Sequence, residues 1–195
     1  MILMNNNSMQ DESGFSEVNV ANNLSEVCFD ILESVTQAII VVVIALSFVV
    51  KIVSVKGWSM LNTLRDADRL VVMKWNYKPQ NGDVVVIKRG QNLDEPIVKR
   101  IIATEGQTVS IDFTTGTVRV DGKPLNEKYI REVTRLQGDA ENPQVVPQGY
   151  CYVMGDNRNH SMDSRFKDVG LIPYDYIVGK AQWIVYPFNR FGGID

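Results

Sequence analysis

The stretch PIVKRIIAT, residues 96–104, sets the texture of most of the chain. Ile97, Val98, Ile101, Ile102 and Thr104 are β-branched, and such side chains fit a pleated strand better than a helix. Lys99 and Arg100 interrupt this pattern. Adjacent residues of a strand point to opposite faces, so at most one of the two cations is expected to face inward. A lysine in a strand is ordinarily a solvated edge residue. Lys99 is singled out because apolar neighbours flank it on both sides.

The same texture recurs outward in both directions. RLVVMKW (69–75), GDVVVIKR (82–89), TVSIDF (108–113), GTVRVDG (116–122), QGYCYVMGD (148–156) and YIVGKAQWIVYPF (176–188) are short β-branched runs separated by Gly, Pro, Asn and Asp. They predict a mainly β domain over residues 55–195, with a coiled antiparallel sheet or barrel-like packing. TTGTVRVDG (114–122) reads as a hairpin arm with Gly116 in its turn. Residues 131–147 are polar and read as a surface excursion. No internal repeat is visible.

Before this domain stands SVTQAIIVVVIALSFVV, residues 34–50, seventeen residues without a charge. That is the low end of the length needed to cross a hydrocarbon core of about 30 Å. Lys51 interrupts, but a lysine near a helix end can snorkel, and IVSV continues the apolarity. Residues 34–54 are therefore expected to be a transmembrane anchor, preceded by a polar tail over residues 1–33. The tail's first part reads as disordered, with a helical approach to the membrane from about Asn22. No basic region precedes the run and no small-residue cleavage site follows it, which argues against a cleaved signal peptide. A buried helix of a soluble protein is the alternative. Residues 1–50 contain no Lys or Arg, whereas Lys51, Lys56, Arg65 and Arg69 follow closely. By the positive-inside rule the C-terminal domain would face the cytoplasm.

Composition excludes some functions. With 20 basic and 23 acidic residues the net charge is -3, so no basic excess exists to neutralise nucleic-acid phosphates. Cys28 and Cys151 lie on opposite sides of the apolar run and would not pair across a membrane. Two thiols and one histidine make no metal-ligand cluster, so no metal is expected. Cys151, in YCYVM, reads as a buried strand residue.

Two further segments carry chemistry. In VKGWSMLNTL (55–64), the frame around Ser59 approaches the nucleophile elbow G-x-S-x-G, but Leu61 stands where the second glycine belongs. His160 is the sole histidine and so the single possible base for a Ser-His-Asp triad; a partner other than the usual one is expected to activate a nucleophilic Ser59. A lysine serves if its pKa falls from about 10.4 towards 7–8, a disfavouring of its charge by roughly 3–4 kcal/mol that burial can produce. Lys99 is the best-placed candidate. GDNRNHSMDSR (155–165) packs two Asp, two Arg, two Ser, two Asn and His160 into one loop. Asx turns and local ion pairs account for its Gly, Asp and Asn, but not for so many charged and hydroxyl groups.

In that order, GWSMLNTL, NGDVVVIK, VKRIIATEGQTV and GDNRNHSMDSR resemble the boxes of bacterial type I signal peptidases, membrane-bound serine–lysine proteases. The length resembles their small, single-anchor branch. The resemblance implies Ser59 as nucleophile and Lys99 as general base, with Ser161 hydrogen-bonding the lysine amine. It implies an Asp163–Arg165 ion pair supporting the loop, with Asp156 and Arg158 as further structural support. The Ser59 N–H would serve the oxyanion, and Gly57 takes a position where some members carry a hydroxyl donor. Substrate would add as a strand near residues 53–57 and 97–98. Val53, Val55, Met60, Leu64 and Val98 would line pockets for small residues at the first and third positions before the cut. The partners implied are signal-peptide-bearing precursors and the lipid bilayer, with no cofactor, metal or nucleic acid.

The resemblance also places the domain on the extracytoplasmic side of the cell membrane, against the count of basic residues. Asn62 departs from the family's usual proline, and Thr104-Glu105 from its Leu-Pro. Glu105 is expected to face solvent, since a carboxylate near Lys99 would raise its pKa. His160 is expected to be a loop residue. The alternatives are a specialised pilin or conjugation-type peptidase of the same fold, and a non-catalytic membrane assembly factor.

Overall fold

The structure, a computed structural model, describes residues 11–88 and 95–194. It divides into two compact units, Met1–Phe48 and Val49–Asp195.

The first unit is helical. Helix α1 (Asp11–Val49) takes in the apolar run and begins earlier than the expected approach at Asn22; residues 1–10 of the expected tail lie outside the described residues. Its window Glu26–Ile44 has a mean hydropathy of 2.1 and the length to cross a membrane. Val35, Ile39, Ile40, Val43 and Ile44 are all exposed. Polar side chains within it bond to the helix itself: the Thr36 hydroxyl donates to the Leu32 carbonyl at 2.7 Å and the Ser47 hydroxyl to that of Ile44 at 2.6 Å. Such bonds suit a segment with no water to satisfy its polar groups. The helix stops at Val49. Residues 50–54, read from the sequence as the end of the anchor, form strand β1 (Val50–Ser54) instead, because they pair with the next strand.

The second unit is built of antiparallel strands, as the β-branched runs predict. After β1 come β2 (Arg69–Met73), β3 (Val84–Ile87), β4 (Ile97–Thr104), β5 (Thr108–Asp112) and β6 (Thr117–Val120). The remainder are β7 (Lys123–Pro124), β8 (Gln144–Val145), β9 (Tyr150–Met154), β10 (Ile172–Pro173), β11 (Ile177–Tyr186) and β12 (Gly192–Gly193). The larger sheet runs β1-β2-β11-β3-β4-β9-β10, with β12 on β11; the smaller runs β7-β6-β5-β8. Each run singled out in the sequence holds one strand. The two-residue strands went unread because two residues carry no periodicity. Residues 131–147 are more than an excursion: Thr134 is buried, and β8 pairs with β5.

The centre of the larger sheet is covered on both faces. In β3, Val84 and Val86 enter one apolar cluster while Val85 and Ile87 enter another. Its neighbour β4 is buried from Val98 to Ala103. This overturns the expectation that only one of Lys99 and Arg100 faces inward. They point to opposite faces, and both faces are interior, leaving 3% of Lys99 and 2% of Arg100 exposed.

At the β5–β6 turn Gly116 has φ +78°, and a Cβ there would lie 2.6 Å from Cβ of Val133. Conformation and space both demand glycine. Gly116→Ala is expected to destabilise the protein by at least about 1–2 kcal/mol, read as a lowered urea midpoint. An unchanged midpoint would contradict this packing.

Candidate active site

The segment around Ser59 is held from both ends. Beyond β1 the ladder continues through Val55, whose N–H donates to the Asp68 carbonyl at 2.8 Å and whose carbonyl accepts from Ala67 at 3.0 Å. Gly57 then turns the chain with φ +86°, its N–H donating to Asp66 Oδ1 at 2.8 Å. Within the turn Leu61 N–H donates to Trp58 O and Leu64 N–H to Met60 O. Met60 and Leu64 sink into the apolar cluster with Val55 and Val98. Their burial pins the turn, with the half-buried Ser59 standing directly before Met60.

The C-terminal loop closes over this turn. Asn157 clips it twice: its backbone N–H donates to the Ser59 carbonyl at 2.9 Å and its Nδ2 to the Trp58 carbonyl at 3.0 Å. Gly155 makes the approach possible, since a Cβ on it would lie 2.4 Å from the Ser59 carbonyl and 2.3 Å from Ser161 Oγ. Sequence reasoning named neither residue. The only signal available was that both lie in the same polar loop.

Lys99 Nζ donates to Ser59 Oγ at 2.6 Å. Burial of the amine lowers its pKa to about 8. The Arg165 guanidinium acts in the same direction, against Asp163 and Asp156. A fall of that size disfavours the ammonium by about 3 kcal/mol relative to water.

The two carboxylates that could restore the charge are engaged elsewhere. Asp163 takes Arg165 bidentately, Nε to Oδ1 at 2.7 Å and Nη2 to Oδ2 at 2.9 Å, and accepts the Gly155 N–H at 2.9 Å. Arg165 further donates to the carbonyls of Arg158 at 2.6 Å and Leu136 at 2.9 Å, fastening the loop on itself. Asp156 takes Arg100 bidentately at 2.9 and 2.8 Å. Arg158 pairs with Glu127 and donates to Thr134 Oγ1 at 3.0 Å. Asp156 and Arg158 thus each sit in a buried ion pair, and their partners Arg100 and Glu127 lie far away in sequence and were not anticipated. Arg100 also stacks over Tyr129, 4.0 Å from the ring centroid.

One expected contact is absent. The Ser161 hydroxyl has no hydrogen-bond partner, although it is buried. The Lys99 amine is turned to Ser59, and Ser161 instead packs against Gly155. Of the residues proposed to line substrate pockets, Val55, Met60 and Val98 border a hollow of about 130 Å³ that includes Ser59 and Lys99. Val53 and Leu64 do not line it; they pack in the apolar cluster behind. His160 is exposed at the end of a short 3₁₀ turn, and Glu105 is exposed and accepts the Gly149 N–H at 2.7 Å, both as expected. Among the described residues no group of three or more His, Cys, Asp or Glu is placed to hold a metal.

The sequence profile of the family described as "Signal peptidase, peptidase S26" matches residues 28–186. The chain is 41% identical over 144 residues to the probable signal peptidase I-1 of Synechocystis, an alignment covering 69% of this chain and 70% of that one. With the signal peptidase I of Leptolyngbya laminosa it shares 35% identity over 175 residues, 83% of each chain. With the signal peptidase I T of Bacillus subtilis it shares 36% over 169 residues, covering 81% of this chain and 85% of that one.

The close approach at Gly155 yields a test. Gly155→Ala should push the Ser59 turn away from Lys99 and slow acylation of Ser59 by a serine-directed probe by at least about tenfold. A circular dichroism spectrum would verify that the sheet remains. An unchanged acylation rate would contradict the clip.

Proposed function

We propose that this chain, which belongs to the signal peptidase family (peptidase S26), removes signal peptides from exported precursors with Ser59 as nucleophile and Lys99 as general base. The observation that carries the assignment of the pair is the 2.6 Å contact between Lys99 Nζ and Ser59 Oγ at a buried amine. A pKa of about 8 leaves a useful fraction of that amine neutral near physiological pH.

In the neutral form the amine lone pair accepts the Ser59 O–H, and Oγ attacks the scissile carbonyl carbon. The C=O π electrons move to oxygen, giving a tetrahedral oxyanion. The Ser59 N–H, which makes no hydrogen bond among the described residues, is free to stabilise it. Collapse breaks the C–N bond, and the leaving amine takes the proton from Lys99. The acyl-enzyme on Ser59 remains. A water molecule then gives a proton to neutral Lys99 and attacks the ester, and Ser59 recovers its hydrogen as the acid leaves.

Substrate lies extended along residues 53–57 and 97–98, bound through main-chain hydrogen bonds. The hollow at Val55, Met60 and Val98 admits small side chains before the cut, while Val53 and Leu64 shape it from behind. Ser161 fills the space beside the Ser59 turn, and the Asp163–Arg165 and Asp156–Arg100 pairs hold the loop that clips it. Helix α1 anchors the chain in the bilayer, with the catalytic unit on the extracytoplasmic side, where translocated precursors emerge. Protection of that unit from protease added outside intact cells would contradict this side.

The membrane-embedded protein should cut a precursor bearing an A-x-A signal peptide after the last alanine. Ser59→Ala and Lys99→Ala are each expected to lose at least about 10³-fold in kcat/KM. Activity retained in Lys99→Ala would remove lysine as the base. Because the neutral amine is the active form, kcat/KM should fall about tenfold per pH unit below about 8 and level off above it. A profile flat through this range would also contradict the assignment.

A further inference from the structure

The cleft of about 530 Å³ at Ser59 carries charge of one sign. Among its described lining residues the charged or titratable ones are Lys56, Lys99, Arg131 and His160, with no carboxylate. Lys99 belongs to the pair already described. Lys56 is ion-paired with Glu95 at 2.9 Å, a residue that lines the smaller hollow. Arg131 is different. Its backbone N–H donates to the Asp156 carbonyl at 3.4 Å, which fixes it beside the loop. Its side chain is exposed and takes part in no hydrogen bond or ion pair among the described residues. A desolvated interior contact therefore does not explain this guanidinium, and it is available to a ligand.

Its position relative to the cut follows from the two cavities. They share Lys56, Gly57, Ser59, Ile97 and Lys99 along one wall and then diverge. The hollow continues to Val55, Met60 and Val98, whereas the cleft continues to Trp58, Arg131, Asn157 and His160. A chain that crosses Ser59 with its last residues before the cut in the hollow leaves along the cleft.

We propose that Arg131 is a specificity-determining residue, selecting precursors with an acidic residue in the first few positions after the cut and disfavouring basic ones there. The inference rests on the signal-peptidase reading above. An exposed guanidinium acts through a high dielectric, so the effect is modest: about three- to tenfold in kcat/KM between acidic and basic substrates. A carboxylate within reach gains both charge attraction and a planar two-donor match. Screening by salt weakens the discrimination.

The test uses the full chain and otherwise identical A-x-A precursors carrying Glu, Gln or Lys at each of the first three positions after the cut. Wild type should prefer Glu over Lys by about three- to tenfold at one of these positions at low salt, and the preference should shrink in ~0.5 M NaCl. Arg131→Gln should bring the ratio close to one, and Arg131→Glu should invert it. The ratio within one variant does not depend on how much of it is folded. Equal cleavage of all three by wild type, or the same ratio in wild type and Arg131→Glu, would overturn the role of Arg131 alone. Failure of wild type to cut any of them would overturn the peptidase reading and this inference with it.

Discussion

A primary amine buried in a sheet, 2.6 Å from a serine hydroxyl, is the constraint around which the rest of this molecule is arranged. An ammonium taken out of water is costly, so the group either finds a counter-ion or gives up its proton. Here the counter-ions are close but committed: Asp163 is held by Arg165 and Asp156 by Arg100. The pairing keeps two buried carboxylates from restoring full charge to Lys99, and it also ties the C-terminal loop to the sheet. The same interactions serve electrostatics and architecture.

Holding such a pair requires that both partners sit on rigid elements. Lys99 comes from β4, a central strand covered on both faces. Ser59 comes from a turn, which is less rigid by nature. The protein compensates by burying Met60 and Leu64 on either side of the exposed part of that turn and by clipping two of its carbonyls with Asn157. Gly155 permits the clip to close, because any side chain there would collide with the Ser59 carbonyl.

Much of this was legible in the chain itself. The β-branched runs located the principal strands, and with His160 the single possible histidine base, Lys99 stood out as the cation interrupting one of those runs. What stayed hidden was long-range. Nothing local says that Arg100 meets Asp156, or Arg158 meets Glu127, because those pairs depend on how strands and loops stack. The inward direction of both Lys99 and Arg100 was missed for a related reason: period-two alternation reveals opposite faces but not whether both faces are covered. The strand at residues 50–54 was absorbed into the apolar run before it, since β-branched residues read alike in a membrane helix and a strand. Ser161 shows the reverse error, a contact expected from resemblance that the side chains do not make in this structure.

The central claim, that Lys99 is a neutral base held ready by burial, is tested most directly by titrating its amine. Nitrogen-15 NMR of the Lys99 Nζ in the solubilised full chain, assigned by comparison with Lys99→Ala, would follow its protonation without reference to turnover. The account predicts a midpoint of about 8. A midpoint near the ordinary lysine value of about 10.4 would mean that the amine is charged at working pH, and the account would be wrong.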